Sequence, residues 1–469
     1  MSYSQCIQRL VFFCIVTLLA MNAFAQSTKE DGTPASIEAI GVDMINLLDG
    51  LVNGERDPTV RLPLDPVIQK ATAAVASSPN FLEAQASLDL LLAQRAEIEA
   101  ETSPKVSASG GFGQRSFEST TASGGTTSTT GQYLSQSLNV DRQLFDFGSN
   151  NSRLMANKLK MKAVEAQIDD VRGQMTFEVI SAFYNVQRSL LQLRLARENL
   201  QSRKTFVNFI RERANLGASS SADVVRAESR VADALDLMSA ALRNLSQAQA
   251  KYRQYYSEEA TPYALPREIP VIDIDLLYLD DYLARNPAII KADNEVRAAR
   301  HSLDAVTKSE MGVLSIEGSF GYTKNPGSNN FLNDRKIGLT FSRQLYSGGA
   351  SEARVDQAKA SLEQAKLSSQ KIRIEVSREI RDAFANYQGN VAAVDSRMLV
   401  FNGAKDSYSI TKELYSFSRI SLFEVLSAQE QLFNSGRQLI DSIVDRAISK
   451  YQLLRITYEL QEQLDYFGN

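Results

Sequence analysis

The side chains able to do chemistry are few, and their placement points away from catalysis. His301 is the one histidine among 469 residues, beside Arg300 in a charged helical stretch, and it reads as a surface residue. The two cysteines, Cys6 and Cys14, both lie within the first 25 residues, which read as a secretory signal. No thiol then remains downstream to act as nucleophile, metal ligand or disulfide partner. No glycine-rich loop follows a strand pattern to cradle a phosphate, and no cluster has metal-ligand spacing. No catalytic residue, cofactor or metal is expected, and the chain reads as not an enzyme. What stands out instead is a pair of acids set alike, in Ser220-x-x-Asp223 and Ser421-x-x-Glu424. A serine three residues before an acid lets each side chain cap the other's backbone N–H at a helix start. The carboxylate also sits at the positive end of the helix dipole.

The elements that hold these acids occur twice, 201 residues apart. Arg142-Gln143-Leu144-Phe145 matches Arg343-Gln344-Leu345-Tyr346, and Ala182, Phe183 and Asn185 match Ala383, Phe384 and Asn386. A seven-residue stripe of Val179, Val186, Leu193, Leu200, Val207 and Ala214 returns as Ile380, Tyr387, Val394, Phe401, Tyr408 and Tyr415. Sustained heptads mean helices that bury a seam against other helices, and in-register duplication means an architecture built by repetition. Proline placement agrees: none of the 11 lies between Pro104 and Pro262 or after Pro326. Proline inside a helix costs about 3 kcal/mol, so these gaps are where unbroken helices fit. The pattern predicts long helices over 149–215 and 350–417, each a rod of about 100 Å.

Between the rods lie short segments of another kind. Leu134, Gln136, Leu138 and Val140 alternate with the period of a strand. Strands are expected at 104–117, 132–145, 312–323 and 335–346, with the Ser/Thr/Gly-rich residues 119–131 as the first loop. Aromatics near the strand ends (Phe117, Tyr133, Phe145, Phe147, Tyr322, Phe331, Tyr346) suggest an interfacial girdle. Four strands cannot close a membrane barrel, whose practical minimum is about eight; three chains together would supply about twelve.

At the N-terminus, Arg9 precedes the apolar residues 10–20, and Ala23-Phe24-Ala25 before Gln26 has the form of a signal-peptidase site, between Ala25 and Gln26. A secretory signal over 1–25 is therefore expected, with no cysteine at the cut to be acylated. Downstream of it no run of about 18 apolar residues occurs, so no membrane-spanning helix is expected. The net charge of −4 shows no basic face for nucleic acid.

In this order and spacing the chain resembles the TolC family of outer-membrane exit ducts. The resemblance is carried by the duplicated junctions RQLFDFGS and RQLYSGGA, by AFYN and AFAN, and by the helix turns NLGASSSADVVRAES and YSFSRISLFEVLSAQ. It implies an α+β membrane protein: a trimeric 12-stranded outer-membrane β-barrel, four strands per chain, continuous with a long periplasmic α-helical coiled-coil barrel, internally duplicated. The domain plan is then signal 1–25, N-terminal periplasmic extension 26–63, first repeat 64–260, a proline-containing linker 261–275 and second repeat 276–469. The first repeat would hold helices 149–215 and 221–256, the second 350–417 and 421–460.

The resemblance also assigns roles at the two turns. Glu424 falls on the family's acidic ring at the tunnel entrance, and Ser427 on the next ring position, where some members have a second acid. Asp223 and Tyr415 fall on a latch between helix pairs. The latch arginine of some members is Ile420 here, with Arg419 one place earlier. Leu216-Gly217 and Phe417-Ser418 match tips that contact the adaptor. The implied partners are two further copies of the chain, a periplasmic adaptor protein, an inner-membrane ABC transporter or proton-driven pump, and outer-membrane lipid, with no nucleic acid. The chain looks nearest to members serving adhesin or agglutination-type secretion, which implies type I protein secretion, with small-molecule efflux as the alternative. A trimeric adhesin also pairs coiled coils with four strands per chain. It places those strands at the chain end, whereas here the last 120 or so residues read as helical.

Overall fold

The heptad seam organises the helices. In the computed structural model, which describes residues 40–56, 65–120, 124–256, 260, 274–326 and 331–460, Val179, Val186, Leu193, Leu200 and Val207 are all buried. So are Ile380, Val394, Phe401, Tyr408 and Tyr415 of the second stripe. The order of elements is α1 (Val42–Arg56), α2 (Asp65–Ala76), α3 (Pro79–Ala100), β1 (Lys105–Thr120), β2 (Thr126–Phe145), α4 (Ser149–Asn215) and α5 (Ser221–Arg253). A 3-10 turn at Leu276–Tyr278 then leads to α6 (Leu279–Arg285), α7 (Pro287–Ser309), β3 (Val313–Lys324), β4 (Phe331–Ser342), α8 (Ala350–Ser416) and α9 (Leu422–Ile456). The long helices α4 and α8 have 67 residues each, about 100 Å at 1.5 Å per residue. Among the described residues no helix is long and apolar enough to cross a membrane.

The chain divides into two compact units, and both draw on both repeats. One takes 40–50, 193–242 and 401–436; the other takes the remaining described residues, including all four strands. In the strand unit, an antiparallel sheet has the order β1-β2-β3-β4. Its register sorts the side chains by face. Val106 pairs with Val140, Ala108 with Leu138, Leu138 with Phe320, Ile316 with Leu339 and Gly318 with Ile337, so one face is largely apolar. The other face pairs Ser109 with Ser137, Ser107 with Asn139 and Ser319 with Lys336. The apolar face is uncovered: Phe112 is 71% exposed, Ile337 81% and Leu339 66%.

The first two strands run further than their sequence pattern suggests, and the fourth is shifted, spanning Phe331–Ser342 rather than 335–346. Residues 119–131, expected as a loop, are mostly strand, and only 121–125 separate β1 from β2. Serine and threonine support this by pairing across the strands, Ser116 Oγ lying 2.8 Å from Thr130 Oγ1 and Ser109 Oγ 2.7 Å from Ser137 Oγ. Tyr133, expected in a girdle, lies on the polar face, its ring over Gly111 and Gly113. Phe145, Phe147 and Phe341 do cluster at the helix end of the sheet, with ring centroids 4.9 and 6.5 Å apart.

The N-terminal extension expected over 26–63 contains helix α1 in its described part. Its i, i+4 stripe of Ile40, Met44, Leu48 and Val52 is buried. The expected signal peptide, its cut between Ala25 and Gln26, and most of the linker 261–275 lie outside the described residues. Phe401 is fully buried in the second stripe. Phe401→Ala is expected to cost about 3–5 kcal/mol, read as an earlier midpoint in denaturant unfolding of the detergent-solubilised protein.

Candidate functional site at the paired turns

The two turns between long and short helices are built alike from the backbone up. Helix α4 ends in a Schellman motif: Ala218 N–H donates to the Arg213 carbonyl at 2.8 Å and Gly217 N–H to the Ala214 carbonyl at 3.0 Å. Gly217 has φ +72°. Helix α8 ends the same way, Arg419 N–H donating to Leu414 at 3.0 Å and Ser418 N–H to Tyr415 at 2.9 Å. Here Ser418 adopts φ +57°, a conformation that costs a non-glycine residue roughly 1–2 kcal/mol.

Each following helix opens with a reciprocal cap. Asp223 N–H donates to Ser220 Oγ at 3.1 Å, while Ser220 N–H and Oγ donate to Asp223 Oδ2 at 3.2 and 2.8 Å. In the second turn Glu424 N–H donates to Ser421 Oγ at 3.4 Å, and Ser421 N–H and Oγ donate to Glu424 Oε2 at 2.7 and 2.9 Å. The expected Asp223–Tyr415 hydrogen bond is not among the bonds of either side chain. Asp223 is taken by Ser220 and by Arg226 at 3.5 Å, and the Tyr415 ring packs against Phe206, Phe209 and the Arg213 guanidinium. Asp223 acts on Tyr415 only through its charge. Burial pushes the Tyr415 phenol up, Ser219 and Arg213 pull it down, and Asp223 raises it.

The side chain that joins the two turns is Arg213, which the sequence reading did not single out. Its Nη2 donates to Ser418 Oγ at 2.9 Å. Its guanidinium lies 5.1 Å from the Tyr415 ring centre and 5.8 Å from that of Phe209, within the range of cation–π attraction. Phe206, Phe209 and Tyr415 pack with centroids 6.1 to 6.4 Å apart. Arg419 lies over Phe417, at 5.9 Å. A local signal for Arg213 did exist: it stands in the last turn of α4, where a cation suits the negative end of the helix dipole. Leu216 and Phe417 project into solvent, 84% and 65% exposed, and Glu424 is exposed while Ser427 and Ile420 are half-buried.

Above the turns, a polar layer crosses the helices. Gln429 Nε2 donates to Ser202 Oγ at 2.7 Å, Arg230 pairs with Glu430 at 3.2 Å, and buried Arg203 reaches Asn199 at 3.2 Å. Burial lowers the Arg203 guanidinium, and the like charge of Arg230 lowers it further. His301 lies on α7, 3.7 Å from Asp304.

Long paired helices, repeated turns and a sheet with an uncovered apolar face describe a channel protein of the outer membrane. The chain belongs to the outer membrane efflux protein family, whose model matches residues 71–256 and 278–457. It is thus an outer-membrane exit channel of the TolC type, of the kind used by tripartite export systems, with its helical tunnel on the periplasmic side. The chain is 22% identical over 355 residues to the outer membrane protein TolC of Escherichia coli (strain K12), covering 70% of each chain. It is 21% identical over 325 residues to the outer membrane efflux protein BepC of Brucella suis biovar 1 (strain 1330), covering 68% of this chain and 71% of that one. Among solved structures, the Campylobacter jejuni CmeC outer membrane channel superposes with a TM-score of 0.75 at 16% identity, covering 86% of this chain and 89% of that one. CusC gives 0.74 at 17%, covering 85% and 93%. Identities at this level carry the fold.

The reciprocal caps make a direct prediction. Ser220→Ala and Ser421→Ala are each expected to cost about 0.5–2 kcal/mol locally. Faster amide exchange in the first turn of α5 or α9, respectively, is the readout; unchanged exchange would show that neighbouring helices hold these starts without the serine.

Proposed function

We propose that three copies of the chain close a 12-stranded barrel whose lumen continues into a helical tunnel, forming a passive exit duct for type I protein secretion. The observation that carries the duct is the sheet: one apolar face, one polar face, and two outer strands, β1 and β4, paired on one side only. Unpaired strand edges are untenable in hydrocarbon, and joining β4 of one copy to β1 of the next removes all of them. Lipid then meets the apolar face and water the polar one, as in other outer-membrane barrels.

The paired turns are the gate and docking end of this duct. Leu216, Gly217, Phe417 and Ser418 are the tips offered to a periplasmic adaptor, which links the duct to an inner-membrane ABC transporter. The latch is Arg213, donating to Ser418 and lying over the Tyr415 ring. Asp223 supports it by capping α5, and Arg419, stacked on Phe417, shapes the tip. Such contacts contribute about 0.5–1.5 kcal/mol each, so three copies hold a closed state that partner docking overturns. Glu424, exposed and repeated by symmetry, sets cation preference at the entrance, with Ser427 in place of a second acid. Arg213→Ala with Tyr415→Phe is expected to raise single-channel conductance in a planar bilayer. Glu424→Gln should mainly lower cation preference. A double variant with wild-type conductance would remove Arg213 and Tyr415 from the gate.

The cargo reading rests on two sequence features: the absence of an acylatable cysteine after the expected signal, and the extension over 26–63. Efflux of small molecules is the second reading, favoured by the description of the matched family and by the names of BepC and the cation efflux protein CusC. Deleting the gene separates the two. Type I secretion predicts loss of a large extracellular polypeptide with unchanged sensitivity to toxic compounds and metal ions. Hypersensitivity with an unchanged secreted fraction would establish efflux instead.

A further inference from the structure

Helix α1 is absent from the repeat pattern, yet it is seated on the helices that lead into the second turn. It is tied to α8 by polar contacts at its start and middle: Tyr408 Oη donates to the Ile40 carbonyl at 3.3 Å, Lys412 Nζ donates to the same carbonyl at 3.3 Å, and Lys405 pairs with Asp49 at 2.9 Å. These lysines and the tyrosine lie on successive turns of one face of α8. Lys412 is five residues before Phe417, about 7.5 Å along the helix.

Two glycines allow the close approach. Gly41, at φ +82°, lies against the Tyr408 ring, where a Cβ would come within 2.9 Å of Cε1. Gly436 of α9 lies under Leu48, and a Cβ there would come within 2.4 Å of Leu48 Cδ1. The three atoms nearest that Cβ all belong to Leu48, so a side chain at 436 meets α1 first. Met44 and Leu48 are fully buried in this seat. The same docking brings Asp43 towards Glu198 of α4, whose carboxyl is raised first by burial and then by the Asp43 charge, with Arg194 opposing.

We propose that α1 is a strap: while docked it ties α8 to α9 next to the second turn and stiffens that hairpin in the closed duct, and its undocking frees it. This rests on the gate reading given above. Opening moves the α8–α9 hairpin that carries the second turn, and α1 meets both of its helices, α8 through Tyr408, Lys405 and Lys412 and α9 through Leu48 on Gly436.

The test uses Gly436→Ala, which favours helix formation in α9 itself and strikes only Leu48. The variant is expected to raise amide exchange of residues 42–50 about ten-fold, as local opening becomes easier, and to raise single-channel conductance of the full-length protein in a planar bilayer. Adding Leu48→Ala removes the clash and is expected to return both measurements towards wild type. Faster exchange with unchanged conductance overturns the strap, provided the Arg213→Ala, Tyr415→Phe variant still opens the channel. If that variant is silent too, the gate reading has failed and the strap falls with it. Unchanged exchange in Gly436→Ala means that α1 is not seated as described, which also overturns the proposal.

Discussion

The constraint on which everything else depends is the buried seam of α4 and α8. A 67-residue helix has no globular core to lie against, and its own backbone hydrogen bonds contribute little net stability in water. What keeps it helical is burial of one stripe along its length. The seam supplies this with Val, Leu, Ile and aromatic residues recurring every seven positions and buried in both copies. A strict seven-residue repeat also imposes a left-handed supercoil, so helices that share the seam wind about one another. Both turns, the polar layer above them and the seat of α1 are placed by that seam.

The long helices were legible because two independent constraints mark them. Proline is excluded for steric and hydrogen-bonding reasons, and the apolar period is fixed by the partner helix. The turns were legible for a related reason: Gly217 and the two Ser-x-x-acid caps satisfy backbone groups locally. Ser418 was harder to read, since serine at positive φ carries no sequence mark; only the register with Gly217 reveals it. The strand ends were misjudged because Ser, Thr and Gly look like loop by composition. In a sheet whose one face meets water, threonine is a sound strand residue and serine pairs across strands.

Two parts of the structure were out of reach for another reason: they depend on contacts between segments distant in sequence. Arg213 meets Ser418 across 205 residues, and nothing near either residue announces the pair. Asp223, by contrast, looked available for a long-range bond. The local cap claims its carboxylate first, because Ser220 lies within the same turn and needs no rearrangement to reach it. Helix α1 shows the same limit. Its apolar stripe of Ile40, Met44, Leu48 and Val52 is visible in the sequence, but the glycine that receives Leu48 is 388 residues away.

Duplication explains how one backbone design supports unequal ends. Both turns have the same Schellman closure and the same cap, so they are equivalent to the main chain. Their side chains differ where the copies meet. The first turn contributes a cation from the last turn of α4, and the second contributes an aromatic and a serine held at positive φ. Replacing Ser418 by glycine would relieve the backbone and remove the acceptor for Arg213. The strain is thus the cost of placing a hydroxyl where the other copy needs only a bend. A residue kept in an unfavourable conformation while its equivalent is relaxed marks the place where the two repeats have stopped being interchangeable. That place is the contact between them.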